Sequence, residues 1–220
     1  MIRPHNLGVA VLVLTLSAGW AAVRAGETSK VVGSIDVGAG EHTGDLSTVN
    51  GSIHVGENAV VGSARTVNGS IELESHAGAA ELKTVNGSVH LAQAVRIGGN
   101  VRTVNGKLRL EDGAEVSGQL RNVNGAIRIA AAHVGGGIQT TTGSIELGPD
   151  AHVEGGIHME KDDSSVNSES PPRVVVAAGS VVAGTLRFDR PVKLYVSERA
   201  TIGPVEGAVA VPFSGAEPPN

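Results

Sequence analysis

The groups in this 220-residue chain best suited to hold a cation or move a proton are its eight histidines and 22 acidic residues. Imidazole and carboxylate together can ligate a divalent metal when they converge within bonding distance. Two histidine groups invite that test. His54 and His90 share one phase of an 18-residue repeat with Glu72, Arg109, Arg128 and Glu146. His152 and His158 lie near Glu154, Glu160, Asp162 and Asp163. The first pair is two repeats apart, about 10 Å at the spacing of stacked strands, whereas zinc–nitrogen bonds are about 2 Å. The second pair offers a weak divalent site, and zinc binding unchanged by His158→Ala would remove it. Exposed repeat positions account for both groups, so no metal ligand, cofactor or catalytic residue is assigned.

Other chemistries are bounded by what the sequence contains. There is no cysteine, which excludes disulfides, thiolate ligation, cysteine nucleophiles and a lipid anchor on cysteine. Gly-x-Ser-x-Gly, His-Glu-x-x-His and phosphate-loop patterns do not occur. Gly98-Gly99 and Gly135-Gly136-Gly137 fall where the repeat turns a corner, not where a strand opens a helix. Arg65, Lys83, Arg102 and Arg121 recur at one phase and predict a basic face, suited to an acidic polymer such as a surface polysaccharide. The chain as a whole is acidic. Without residues 1–25 its net charge is −7, from 15 basic and 22 acidic residues, so nucleic acid is not an expected partner.

The elements that must position these groups follow from one phrase. TVNGSI at Thr48–Ile53 returns at Thr66–Ile71, then as TVNGSV, TVNGKL, NVNGAI and TTTGSI from Thr84, Thr103, Asn122 and Thr140. Its glycines, from Gly33 to Gly143, are spaced 18, 18, 18, 19, 19 and 18 residues apart. A short fixed period over many copies marks a stacked-repeat fold. Apolar residues alternate around each copy, as in Ile53-His54-Val55, which is strand periodicity. The fold expected is all-β: a single-stranded parallel β-helix of about nine coils of 18–19 residues.

Equivalent residues of successive coils then stack about 4.8 Å apart. The phrase valine is expected to point inward. Asn50, Asn68, Asn86, Asn105 and Asn124 are expected to stack as an amide ladder. Gly51, Gly69, Gly87, Gly106, Gly125 and Gly143 complete the corner, with positive φ as the expected reason for glycine. A flat Thr-x-Asn array could also order water on an outer face, but stacked hydroxyls and amides stabilising the corner are the simpler reading.

Domain boundaries are read from composition. Arg3, an apolar run from Leu7 to Leu16 and Val23-Arg24-Ala25 form the pattern of a cleaved export signal over residues 1–25. The solenoid is placed at 26–206, with a polar loop at about 161–172 (KDDSSVNSESPP from Lys161) and a loose tail at 207–220. No later stretch is apolar enough to span a membrane, so the expected location is the periplasm or the cell surface. Val31–Val37 carries little polarity for a capping turn, so self-association through the ends is one expected interaction.

The recurring VNGSI phrases after a signal-like segment resemble the adhesin-type repeats of bacterial envelope proteins (the DUF4097 type). The steps LGPDAHVEGGI and VAAGSVVAGTL resemble those of bactofilins, the polymer-forming cytoskeletal family. Together the resemblance spans roughly residues 30–206. It implies stacked β-coils without enzymatic activity and, on the bactofilin side, end-to-end assembly without nucleotide. Bactofilins usually lack a cleavable signal, so the export pattern favours an envelope role. A solenoid enzyme acting on envelope glycans or acyl groups is the third reading. It needs an aligned carboxylate pair or a histidine on a shared loop, and the mixed-charge columns supply neither.

Overall fold

The computed structural model describes residues 26–161, 170–215 and 217–218. The 1–25 export pattern and most of the 161–172 loop lie outside the described residues. Strand follows strand along the chain, and the pairings on every side are parallel. Each coil turns through three faces. The first face carries ten strands, from Ile35–Val37 to Ala210–Phe213, so the solenoid has ten coils. The second face carries short strands such as Glu115–Val116, and the third strands such as Leu120–Arg121. Near the N-terminal end, Val60–Arg65 and Gly78–Lys83 each run across both of these faces, which joins them into one 16-stranded sheet.

The tenth coil corrects the expected tail. Leu194 pairs with Ala210 and Ser197 with Phe213, so residues 210–213 belong to the solenoid and the Phe213 side chain is buried. The polar insertion costs the stack nothing in register. Ile145 pairs with Val174, His152 with Val181 and Ile157 with Leu186, each across the same lengthened step. Added chain length between two paired coils costs only slowly growing closure entropy.

The core is a set of aliphatic columns. Ile53, Ile71, Val89, Leu108 and Ile127 are stacked partners with at most 1% exposure, and Val55, Leu73, Leu91, Leu110 and Ile129 form the column beside them. Among the described residues, aromatic side chains are buried only at the C-terminal end, with Phe188 and Phe213.

At the repeated phrase the inside and outside are reversed from expectation. Thr48, Thr66, Thr84 and Thr103 are buried at 3% exposure or less, while Val49, Val67, Val104 and Val123 are 36–39% exposed. Each buried hydroxyl needs a partner, and finds it one coil back. Thr66 Oγ1 donates to the Gly51 carbonyl at 2.8 Å, Thr84 to Gly69 at 2.9 Å and Thr103 to Gly87 at 3.0 Å. Where the phrase begins with Asn122, its amide donates to the Gly106 carbonyl at 2.9 Å instead. The inward threonines also remove the proposed outer Thr-x-Asn array.

The phrase glycines are required for space more than for φ. Among the phrase glycines, only Gly33 and Gly125 take positive φ, at 112° and 120°. A Cβ at Gly69, Gly87 or Gly106 would overlap the carbonyl oxygen of the phrase glycine one coil earlier. That oxygen points along the stack, where it also accepts the threonine hydroxyl.

The left-handed corner lies elsewhere, between the first and second faces. Gly40, Asn58, His76, Ala94 and Gly113 occupy the first five coils there, and Asp150 and Gly179 the seventh and eighth, with φ from 56° to 78°. Each closes a β-turn whose third position demands positive φ. Ala94 is the least suited of them at φ 56°. A left-handed conformation costs a non-glycine residue about 1–2 kcal/mol, and the chain entropy of glycine returns about 0.5–1. Ala94→Gly is therefore expected to stabilise the fold by about 0.5–1 kcal/mol, read as a higher urea midpoint at unchanged slope.

Candidate functional site: a basic column and two solenoid ends

The third face presents every second residue to solvent, and stacking turns these residues into columns. Arg65 pairs with Lys83, Lys83 with Arg102, and Arg102 with Arg121, so the expected basic face exists as one column. It continues through Gln139, His158 and Arg187 to Glu206. The positive charge is partly answered from within the coils. Glu81 reaches Arg65 at 3.6 Å and Arg102 at 3.4 Å, and Glu160 reaches Arg121 at 3.8 Å. Exposed pairs of this kind contribute about 0–1 kcal/mol, so the guanidinium groups can be drawn cheaply to an outside anion.

Two further columns flank the basic one. The valines Val49, Val67, Val104 and Val123 lie two positions along, and the asparagines follow at the corner. Asn68 Nδ2 donates to Asn50 Oδ1 at 2.9 Å, Asn86 to Asn68 at 3.0 Å and Asn105 to Asn86 at 3.0 Å. Asn124 pairs with Asn105 through its backbone, and its Oδ1 accepts from Thr142 at 3.3 Å. Next come the serines. Ser34, Ser52, Ser70 and Ser88 each accept a backbone N–H from the coil that follows, at 3.1–3.3 Å. One side of the rod thus offers cationic, apolar, amide and hydroxyl columns at strand spacing.

The outer column of the first face mixes acidic, histidine and basic residues. Asp36, His54, Glu72, His90, Arg109, Arg128 and Glu146 stack in that order. Arg128 meets Glu146 at 3.0 Å, and Arg109 pairs with Glu111. The Arg109 guanidinium, helped by His90, holds the Glu111 carboxyl below its ordinary range. These groups neutralise one another along the column rather than converging on one point.

His158 and His152 do not share a site. His158 belongs to the third face, where Nε2 lies 2.8 Å from Asp189 Oδ2. That contact, with Arg187 beside it, holds the Asp189 carboxyl low. His152 belongs to the second face, stacked on His133. His133 and His152 are one repeat apart in the sequence, so the period alone brings them side by side.

Each end of the rod leaves strand edges that pair on one side only. Thr28–Val32 pairs with Leu46–Asn50, and Ala210–Phe213 with Lys193–Ser197. Val31 and Val32 are 73% and 74% exposed, and Val209 is 85% exposed. Unpaired parallel edges are templates for another chain. Pro212 in the last strand lacks an N–H and blunts the C-terminal edge, while no proline lies in Thr28–Val32.

The fold and its surface columns define a β-solenoid repeat protein. No family model, no curated protein and no solved structure matches the chain. Among the described residues no helix is long and apolar enough to cross a membrane.

Proposed function

We propose that this protein is an exported, non-enzymatic β-solenoid with a structural, adhesive or scaffolding role in the bacterial cell envelope, in the periplasm or at the cell surface. The observation that carries the reading is the arrangement of its polar groups. They run as long columns of like residues at strand spacing, and a periodic surface suits a periodic ligand. Envelope polysaccharide bearing acidic groups fits the column from Arg65 to Arg121, and a protein partner would use the same face. The export part of the proposal rests on the pattern of residues 1–25.

The solenoid edges favour a second reading, a bactofilin-like polymer assembled end to end. Parallel edges at both ends and the exposed Val31–Val32 pair support it. Sedimentation velocity and negative-stain microscopy of residues 26–220 across concentration separate the two. Filaments that lengthen with concentration, and are lost in Val31→Lys/Val32→Lys, establish assembly through the ends. Short monomeric rods at every concentration remove the filament reading. Co-sedimentation with an acidic polysaccharide, weakened by Arg65→Glu/Arg102→Glu, then tests the lateral face; equal binding by the variant rejects it.

A further inference from the structure

We infer that His133, His152 and Glu154 form a binding site for one divalent transition-metal ion, with zinc as the representative cation. The two histidines are stacked partners on adjacent strands of the second face, His133–Val134 and His152–Val153. Their ring centroids lie 5.3 Å apart and their planes are inclined by 51°. Glu154 follows two residues after His152 and projects to the same side, its Oε1 3.0 Å from His133 Nε2. One donor atom from each of the three residues lies within 4.8 Å of the other two.

That spacing is close to what a tetrahedral ion needs. Bonds of about 2.0–2.2 Å place neighbouring ligand atoms roughly 3.4 Å apart. The His133–Glu154 pair already sits at 3.0 Å, so a small rotation of the partly exposed His152 ring completes the set. A hydrogen bond joins His133 and Glu154, and the strand register brings His152 beside them, so three donors meet at one point. Two imidazole nitrogens and one carboxylate oxygen are borderline ligands, poor for calcium or magnesium, which take oxygen donors. Charge favours a cation as well. Glu115 precedes His133 in the same column and borders a shallow depression with Asp150 and His152. Arg96, 3.8 Å from Glu115, is the basic group nearest in that column.

The site would join the sixth and seventh coils, immediately before the insertion that lengthens the next step. Three protein ligands leave at least one coordination position for water or for a donor from another molecule.

The test is titration of the untagged full chain with Zn2+ by calorimetry, and with Co2+ by its visible absorption. The expected result is one ion per chain with tetrahedral cobalt bands. His133→Ala and His152→Ala should each weaken binding by more than the roughly 10–100-fold typical of losing an outer-sphere partner. Glu154→Gln should weaken it as well, while His158→Ala leaves it unchanged. All four positions are solvent-accessible, and circular dichroism of each variant verifies the fold. Absence of saturable binding below millimolar zinc overturns the inference. So does binding that persists in the His133→Ala/His152→Ala double variant, or that is lost in His158→Ala alone.

Discussion

Gly87→Ala is expected to destabilise the solenoid by about 3 kcal/mol, at the upper end of ordinary overpacking costs. The new methyl group would overlap the Gly69 carbonyl oxygen of the coil below, and that neighbour is backbone. A flexible side chain could swing away, but this oxygen is fixed on both sides. Thr84 donates to it at 2.9 Å, and the parallel ladder holds the peptide on which it sits. Separating the coils to admit the methyl would stretch the Thr84 bond and the neighbouring Asn86–Asn68 amide bond together. For a chain of this length the loss corresponds to a fall of roughly 10 °C in Tm. Gly98→Ala is the control. A Cβ there meets nothing within 4 Å, so its effect should stay within about 0.5 kcal/mol. Urea unfolding of both variants checks the contrast; a Gly87→Ala protein as stable as Gly98→Ala would mean that the glycine column is not a packing requirement.

The same phrase shows how far the fold can be read from residues alone. The 18-residue return and the aliphatic alternation favour a parallel coil over an antiparallel sandwich or meander, because the coil stacks each copy on its own equivalent. The side on which a residue falls at the corner is another matter. Leu46 and Thr48 face the core on one strand, then Ile53 and Val55 on the next. The corner between Asn50 and Ile53 therefore reverses the parity. Val49 shares its phase with Ile53 yet lies outside. Threonine and valine have nearly the same shape, so hydrophobicity alone placed the wrong one inward. What decides between them is the glycine carbonyl of the coil below, which needs a donor and is visible only once the coils are stacked.

The surface was legible to a similar depth. Counting in eighteens collected Arg65, Lys83, Arg102 and Arg121 into one column, and the strand pairing places them so. It did not show Glu81 lying between them, because Glu81 shares their outward side two positions earlier and reaches across the coil boundary. The C-terminal coil was missed for a compositional reason. Residues 207–213 read as a tail because they are rich in small residues and contain Pro212. A terminal strand has one free edge, and proline is tolerated there.

Leu91→Ala is expected to cost about 3 kcal/mol and to divide the unfolding of the rod. Leu91 is fully buried and stacks directly between Leu73 below and Leu110 above. Truncation removes its contacts with both neighbours, and rigid parallel ladders on three faces prevent the coils from collapsing into the space. In a solenoid each coil is stabilised mainly by its two neighbours, so a weak coil in the fourth position interrupts the coupling along the stack. Ile35 is the comparison: it lies in the first coil and stacks on Ile53 alone, so Ile35→Ala should be milder and leave a single transition. The chain carries its own reporter of the far end. Tyr195 is the only tyrosine in the sequence, and it lies in the ninth coil against Arg173, 5.0 Å from the ring centroid to the guanidinium carbon. In residues 26–220 its fluorescence therefore follows the C-terminal coils, while far-ultraviolet dichroism follows the whole rod. The two signals should coincide during urea unfolding of the unaltered protein and separate in Leu91→Ala, with dichroism falling first. Coincident curves in the variant would mean that the coils unfold as one unit, with coupling that reaches well beyond nearest neighbours.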